Sequence, residues 1–151
     1  MEHHEAHARQ EIANLCATYT MSADRGRPDG VVAVFAQDAI FDIQSGKLEG
    51  REAIRAFFSD LIASAVLGPG RQSPARHHLT TSQVTFDDGS HASGRTYFIV
   101  VRDGTIIQTG IYVDKYVLAE GQWLIAFRQV RMEFDLLADQ YLERPDSPPA
   151  S

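Results

Sequence analysis

A single cysteine, Cys16, stands in 151 residues, and this excludes any internal disulfide. Its place among Ile12, Leu15 and Tyr19 marks it as a small buried hydrophobe. Basic side chains are outnumbered: 14 Lys and Arg stand against 20 Asp and Glu, a formal charge of −6. Nucleic acid and anionic membrane surfaces both need a concentrated basic footprint, so neither is an expected partner. No apolar run is long enough to span a bilayer. The opening residues lack a basic patch followed by an apolar core, so no signal peptide is expected and the cytoplasm is the expected compartment. Phosphate-cradling loops of the P-loop or dinucleotide type are also missing. His3, His4 and His7 read as a solvated, frayed start rather than a metal site.

What is present is ordinary for a globular protein: 44% hydrophobic and 23% charged residues. A chain of this length buries roughly two thirds of its unfolded surface. One domain covering residues 1–151 is expected, with a loose Pro- and Ser-bearing tail at 143–151.

Periodicity divides the chain into helices in front and strands behind. Ile12, Leu15, Cys16 and Tyr19 recur at three- and four-residue steps, predicting an amphipathic helix over residues 5–23. Gly26, Arg27 and Pro28 break it. Pro28 suits the first turn of a short second helix carrying Val31, Val32, Val34 and Phe35. A strand is predicted over 38–43, with a turn at Ser45 and Gly46. Residues 51–66 form a third helix on the stripe Ile54, Phe57, Phe58, Leu61 and Ile62, stopped by Gly68, Pro69 and Gly70. Four long strands follow over 75–86, 91–102, 105–118 and 123–134. Asp87-Asp88-Gly89, Asp103-Gly104 and Glu120-Gly121 separate them as hairpin turns. This order predicts an α+β domain in which helices pack on one face of a curved antiparallel meander around a cavity.

The clue to chemistry is the adjacent pair His77 and His78 at the head of the first long strand. Strand side chains alternate between faces, so only one of the two can face the enclosed space. Alternation places Leu79 and Thr81 with His77, and Thr80 and Ser82 with His78. Residue pattern alone does not choose between them. Upstream, Tyr19 and Asp24 close the first helix. A carboxylate beside an imidazole fixes its tautomer and stabilises the imidazolium formed on proton uptake, which makes a general base. Asp24 reads equally as a helix-end cap and Tyr19 as a core tyrosine. Five residues separate Tyr19 and Asp24 by about 140° on an ideal helix, so both are expected to reach one pocket only if the helix ends before Asp24. Adjacent histidines without a third ligand at a recognisable interval argue against a metal site, and catalysis without a cofactor is expected. In the later strands Gln108, Gly110, Tyr112 and Asp114 share one face. Arg128 and Arg131 lie on opposite faces, each able to orient an anionic or carbonyl oxygen or to sit at the surface.

Several strings in order complete the picture: Tyr19-Thr20-Met21-Ser22-Ala23-Asp24, Val34-Phe35-Ala36-Gln37-Asp38-Ala39, Gly50-Arg51-Glu52-Ala53-Ile54, Arg76-His77-His78-Leu79-Thr80 and Gly121-Gln122-Trp123. Over nearly the whole chain this pattern resembles the SnoaL-like branch of the nuclear transport factor two-like (NTF2-like) superfamily. That resemblance implies a cone-shaped α+β fold with three N-terminal helices on a strongly curved, mainly antiparallel sheet that encloses a pocket. Superfamily members include dehydratases, polyketide cyclases, isomerases, a dehydrochlorinase and noncatalytic binding proteins. By similarity to the dehydratase and dehydrochlorinase members, Asp24 and His77 form the catalytic pair and Tyr19 is a pocket tyrosine. Tyr112, Gln108, Arg128, Phe35 and Phe58 are expected to contact the substrate. The sequence departs from the pattern at Thr81, where many members carry asparagine, and lacks a second pocket histidine unless His91 reaches inward.

The leading expectation is therefore a cofactor-independent lyase acting on a small, mainly apolar, cyclic or steroid-like molecule. An isomerase of the ketosteroid type would instead use Tyr19 with Asp42 as base. A noncatalytic binding or oligomerisation module is the third reading. A homodimer or homotrimer is expected, with Phe98, Val100, Ile107, Ile111 and Val117 supplying an apolar outer face.

Overall fold

The structure, a computed structural model, describes residues 3–64 and 73–138. The expected tail at 143–151 and the Gly68-Pro69-Gly70 helix stop lie outside these residues. Three helices, α1 (His3–Asp24), α2 (Pro28–Val32) and α3 (Gly50–Ala63), accompany six strands: β1 (Phe35–Ile43), β2 (Gly46–Glu49), β3 (Arg76–Phe86), β4 (His91–Arg102), β5 (Thr105–Ala119) and β6 (Gln122–Asp135). The strands form one sheet in the order β2-β1-β6-β5-β4-β3. Only β1 against β6 is parallel; the other neighbours are antiparallel. Among the described residues no helix is long and apolar enough to cross a membrane.

Helix α1 lies across the concave face, packed on β3 and β6. Its buried residues Ala8, Ile12, Leu15, Cys16, Tyr19 and Thr20 keep the helical spacing of one apolar stripe. Arg9 ties the helix to β3, with Nη1 donating to the Val84 carbonyl at 2.6 Å and the guanidinium 5.0 Å from the Phe86 ring centre. The two-residue turns fall where the Asp-Gly and Glu-Gly pairs predict them. Asp103 and Gly104 have φ of 53° and 73°, Glu120 and Gly121 of 51° and 77°, the left-handed values that match hairpin twist.

Two expectations fail between residues 31 and 49. Helix α2 stops at Val32, so Val34 and Phe35 are not helical: β1 begins at Phe35, and the Ile125 N–H donates to the Val34 carbonyl at 2.8 Å. The chain leaves the helix where β6 offers its backbone a partner. The turn expected at Ser45 and Gly46 falls at Gln44 and Ser45 and joins β1 to an additional short strand, β2, which pairs Gly46 with Ile43 and Leu48 with Phe41.

Five register shifts interrupt the strand pairings. Each extra residue bends its strand and increases local twist, and together they curl the sheet around the helices. They also reset which side chains face inward. In β3 the shift falls between Leu79 and Ser82, so Ser82, not Thr81, continues the inward face: its hydroxyl meets that of Thr96 at 2.9 Å. In β4 the inward face is Ala92, Thr96, Phe98 and Val100, all buried. Phe98 and Val100 therefore cannot belong to an outer interface, and Ile107, beside a shift of its own, is buried as well. Ile111 and Val117 stay partly exposed.

Candidate active site

Tyr19 is the hub of the interior. Its ring centre lies 5.9 Å from Phe35, 5.9 Å from Phe58 and 5.8 Å from Tyr112, each edge-on. Across β4 and β5, Phe98 stacks on Tyr112 at 4.5 Å and 21°. That stack requires Gly110: a Cβ there would approach the Phe98 ring to 2.6 Å. Tyr19, Phe58, Phe98 and Tyr112, with residues of β1, α3 and β6, enclose a cavity of about 180 Å³. Its wall is apolar at Phe41, Ile43, Phe57, Phe58, Leu61, Ile62, Phe98, Val130 and Met132, and polar at Tyr19, Thr20, Asp24, Gln44, His77, Gln108 and Tyr112.

At one edge of the cavity α1 meets β3. Asp24, the last residue of α1, places Oδ1 2.6 Å from His77 Nδ1, while Oδ2 accepts the His77 backbone N–H at 3.0 Å. The two side chains retain 9% and 16% of their exposure, enough for a proton to arrive or leave. One carboxylate thus holds both the main chain and the ring of a residue 53 positions away. An ionised carboxylate can only accept, so Nδ1 carries the ring proton and Nε2 is the basic nitrogen. His77 faces the cavity and His78 is exposed. A second depression, lined by Arg25, Arg76 and His78 among others, shares Thr20, Asp24 and His77 with the first, so the pair stands in the partition between them.

Contrary to the helix-end condition, α1 runs through Asp24, yet Tyr19 and Asp24 both line the cavity. Tyr19, Thr20, Ala23 and Asp24 cover an arc of about 140° on the helix, and the curled sheet presents an equally wide hollow to that arc.

Beneath the cavity floor lies a second charge pair. Arg128 donates from Nε and Nη2 to Asp114 Oδ1 and Oδ2, both at 2.8 Å, and Asp114 Oδ2 also accepts the Tyr116 hydroxyl at 2.8 Å. Both ionic side chains have no exposed surface. Cys16 Sγ completes the cluster, 3.4 Å from the Tyr116 hydroxyl and 3.6 Å from Arg128 Nη2. The guanidinium carbon lies 4.3 Å from the Tyr19 ring centre and 4.2 Å from that of Tyr112, a cation–π sandwich. Burial by itself would lower the Arg128 pKa, but the Asp114 carboxylate outweighs it and holds the guanidinium charged. Burial pushes the Tyr19 phenol up to about 12, with Arg128 pulling against it. The Tyr112 and Tyr116 phenols rise for the same first reason, and at Tyr116 the Asp114 charge adds to it.

Of the residues expected at the site, Tyr19, Asp24, His77, Phe58, Gln108 and Tyr112 border the cavity, whereas Phe35 and Arg128 do not. Phe35 packs under Tyr19 with no exposed surface. Arg128 is held by Asp114 behind the two tyrosine rings, so neither it nor Phe35 is part of the cavity wall. Arg131, its expected opposite, is exposed. Gln108 Nε2 is engaged by Asp135 at 3.0 Å. Asp42 points to the other side of β1, where Gln129 Nε2 donates to it at 3.0 Å. His91 is exposed and pairs with Asp88. Sequence reasoning missed Thr20 and Phe98. The first was detectable at four residues before Asp24, on the same helix face; the second required the strand phase.

Helices on a curled, six-stranded, mainly antiparallel sheet with a pocket in the concave side define the NTF2-like, cystatin-like class of fold. The sequence profile of the SnoaL-like domain matches residues 4–129, and the chain belongs to that family. Among solved structures it is similar to a protein of unknown function from Mycobacterium tuberculosis at 26% identity and TM-score 0.73, covering 85% of this chain and 73% of that one. The NTF2-like protein with a cystatin-like fold from Novosphingobium aromaticivorans matches at 21% identity and TM-score 0.69, over 90% and 88% of the two chains. The hexachlorocyclohexane dehydrochlorinase LinA-type3 from Novosphingobium barchaimii matches at 15% identity and TM-score 0.74, over 87% and 90%. No curated protein matches the chain.

Proposed function

We propose that the protein is a cofactor-independent lyase in which His77, oriented by Asp24, removes a proton from a carbon of a small cyclic substrate. The double engagement of Asp24 by His77 at the cavity wall carries this reading. Nε2 of His77 takes the proton; the C–H electron pair forms a carbon–carbon double bond, and the leaving group on the neighbouring carbon departs with its bonding electrons. The imidazolium left behind sits against the Asp24 carboxylate. A base held in this way contributes about 10²- to 10⁴-fold. Tyr19, kept neutral by burial, is a hydrogen-bond donor for a substrate oxygen. Membership in the SnoaL-like family and a fold shared with a dehydrochlorinase support an elimination. The mainly apolar wall favours a ring with few polar groups. Its volume of about 180 Å³ is near the roughly 150 Å³ that accommodates benzene and below the roughly 300–1,000 Å³ of drug-sized ligands. Substrates of one or two rings are therefore favoured over steroids.

Turnover is read by following deuterium uptake and loss of water from cyclic β-hydroxy ketones in D₂O. The wild type is expected to react, and His77→Ala to lose the reaction while still binding cyclohexanone. If His77→Ala exchanges and eliminates as fast as the wild type, or if the wild type binds such ligands and turns none over, the lyase reading fails and a binding module replaces it.

A further inference from the structure

We infer that Thr20 is a specificity-determining residue whose hydroxyl binds an oxygen substituent of the substrate beside His77. This rests on the cavity being the substrate site. Thr20 retains 7% of its exposure, and its Oγ1 is buried without any hydrogen-bond partner in the protein. Threonine in a helix ordinarily solves this problem locally by donating to the carbonyl four residues back. Thr18, on the exposed side of the same helix, does so to Asn14 at 2.9 Å. Thr20 does not, although the same helical backbone lies within its reach. Buried hydroxyls left unpaired are uncommon because they forfeit their hydration without replacement.

The position of this hydroxyl indicates its partner. Thr20 and Asp24 stand one turn apart on α1, and both line the cavity with His77. None of the polar groups that line the cavity lies within hydrogen-bond reach of Oγ1, so the group best able to satisfy it belongs to the ligand. A hydroxyl or keto oxygen on a small ring meets that need, as acceptor or donor. A halogen or methyl group of similar size accepts a hydrogen bond poorly or not at all. Thr20 therefore selects oxygenated rings over halogenated or purely hydrocarbon ones. A site built to hydrogen-bond an oxygen discriminates against the analogue that lacks it because its own polar group is then left unpaired.

Phenol and toluene, alike in shape and differing in one hydroxyl, are suitable probes, and calorimetric binding to the full chain needs no turnover. The wild type is expected to prefer phenol, and Thr20→Val to reduce the phenol-to-toluene affinity ratio by about three- to tenfold. Thr20→Ser is expected to keep the ratio, and Thr20→Ala serves as a second hydroxyl-free variant should valine misfold. Ligand-free Thr20→Val is expected to melt at or above the wild-type temperature, because no protein partner is lost. An unchanged ratio in the hydroxyl-free variants, or a ligand-free Thr20→Val that melts several degrees lower, overturns the assignment. Failure of both probes to bind overturns the cavity reading itself, a separate outcome from an unchanged ratio.

Discussion

Two pairs of a carboxylate with a basic side chain stand at the interior of this molecule, and the structure treats them differently. Asp114 and Arg128 are wholly buried and engaged with each other, with Tyr116 and with Cys16, while Arg128 Nη1 is buried without a hydrogen-bond partner. Their charge is consumed in fixing the two tyrosine rings of the cavity wall. Asp24 and His77 keep some contact with solvent and with the cavity, and the ring presents a basic nitrogen. The buried pair is structural because each charge is matched by the other inside the protein and neither has any exposed surface. The other is chemical because one of its nitrogens remains for an outside proton. Burial decides the role, since both pairs use the same elementary attraction.

The largest expected effect is on the buried pair. Asp114→Asn leaves Arg128 charged and unmatched in the interior, and urea unfolding is expected to show a loss of about 3–5 kcal/mol. The double variant Asp114→Leu with Arg128→Met removes both charges and is expected to recover most of that loss. If the single variant costs less than 1 kcal/mol, the contrast between the two pairs collapses. Asp24→Asn is expected to cost only about 1–2 kcal/mol of stability, since an amide oxygen can still accept the His77 N–H. Its turnover falls by about 10²- to 10⁴-fold in rate assays, through loss of the carboxylate that sets the ring's tautomer. A turnover loss no larger than its stability loss would make that pair structural too.

The smallest effect concerns alkaline pH. Because the Tyr19 pKa is raised from 10 to about 12 in the fold, the stability it contributes is intact below pH 10. It declines as pH rises towards 12, because the unfolded chain ionises first. Tyr112 and Tyr116 act in the same direction. Tyr19→Phe is therefore expected to make the fall in urea midpoint between pH 10 and 12 shallower; an unchanged slope would mean that the ring is not held neutral by burial.

Much of this is legible in the sequence. The stripe of α1, the hairpin turns at Asp103-Gly104 and Glu120-Gly121, and the phase of Gln108, Tyr112 and Asp114 follow from short-range rules of spacing and turn chemistry. The inward choice of His77 came from family resemblance, because strand alternation allows either histidine. What escaped was anything governed by register. The turn at Glu120 and Gly121 alone continues the pairing of Tyr116 with Ile125 in a way that sets Asp114 opposite Phe127. One extra residue in β6 shifts the pairing, and Arg128 arrives there instead. The same kind of shift in β3 moved Ser82 inward in place of Thr81, and the phase of β4 carried Phe98 into the wall.

By itself, then, the sequence determined the elements and the residues able to do chemistry, because helix periodicity, turn conformations and side-chain character act over a few neighbouring positions. Only the tertiary structure decided which carboxylate meets which cation, and which of the two pairs opens on a cavity. Those outcomes depend on bulges and long-range closure, where one inserted residue reverses the face of every side chain beyond it.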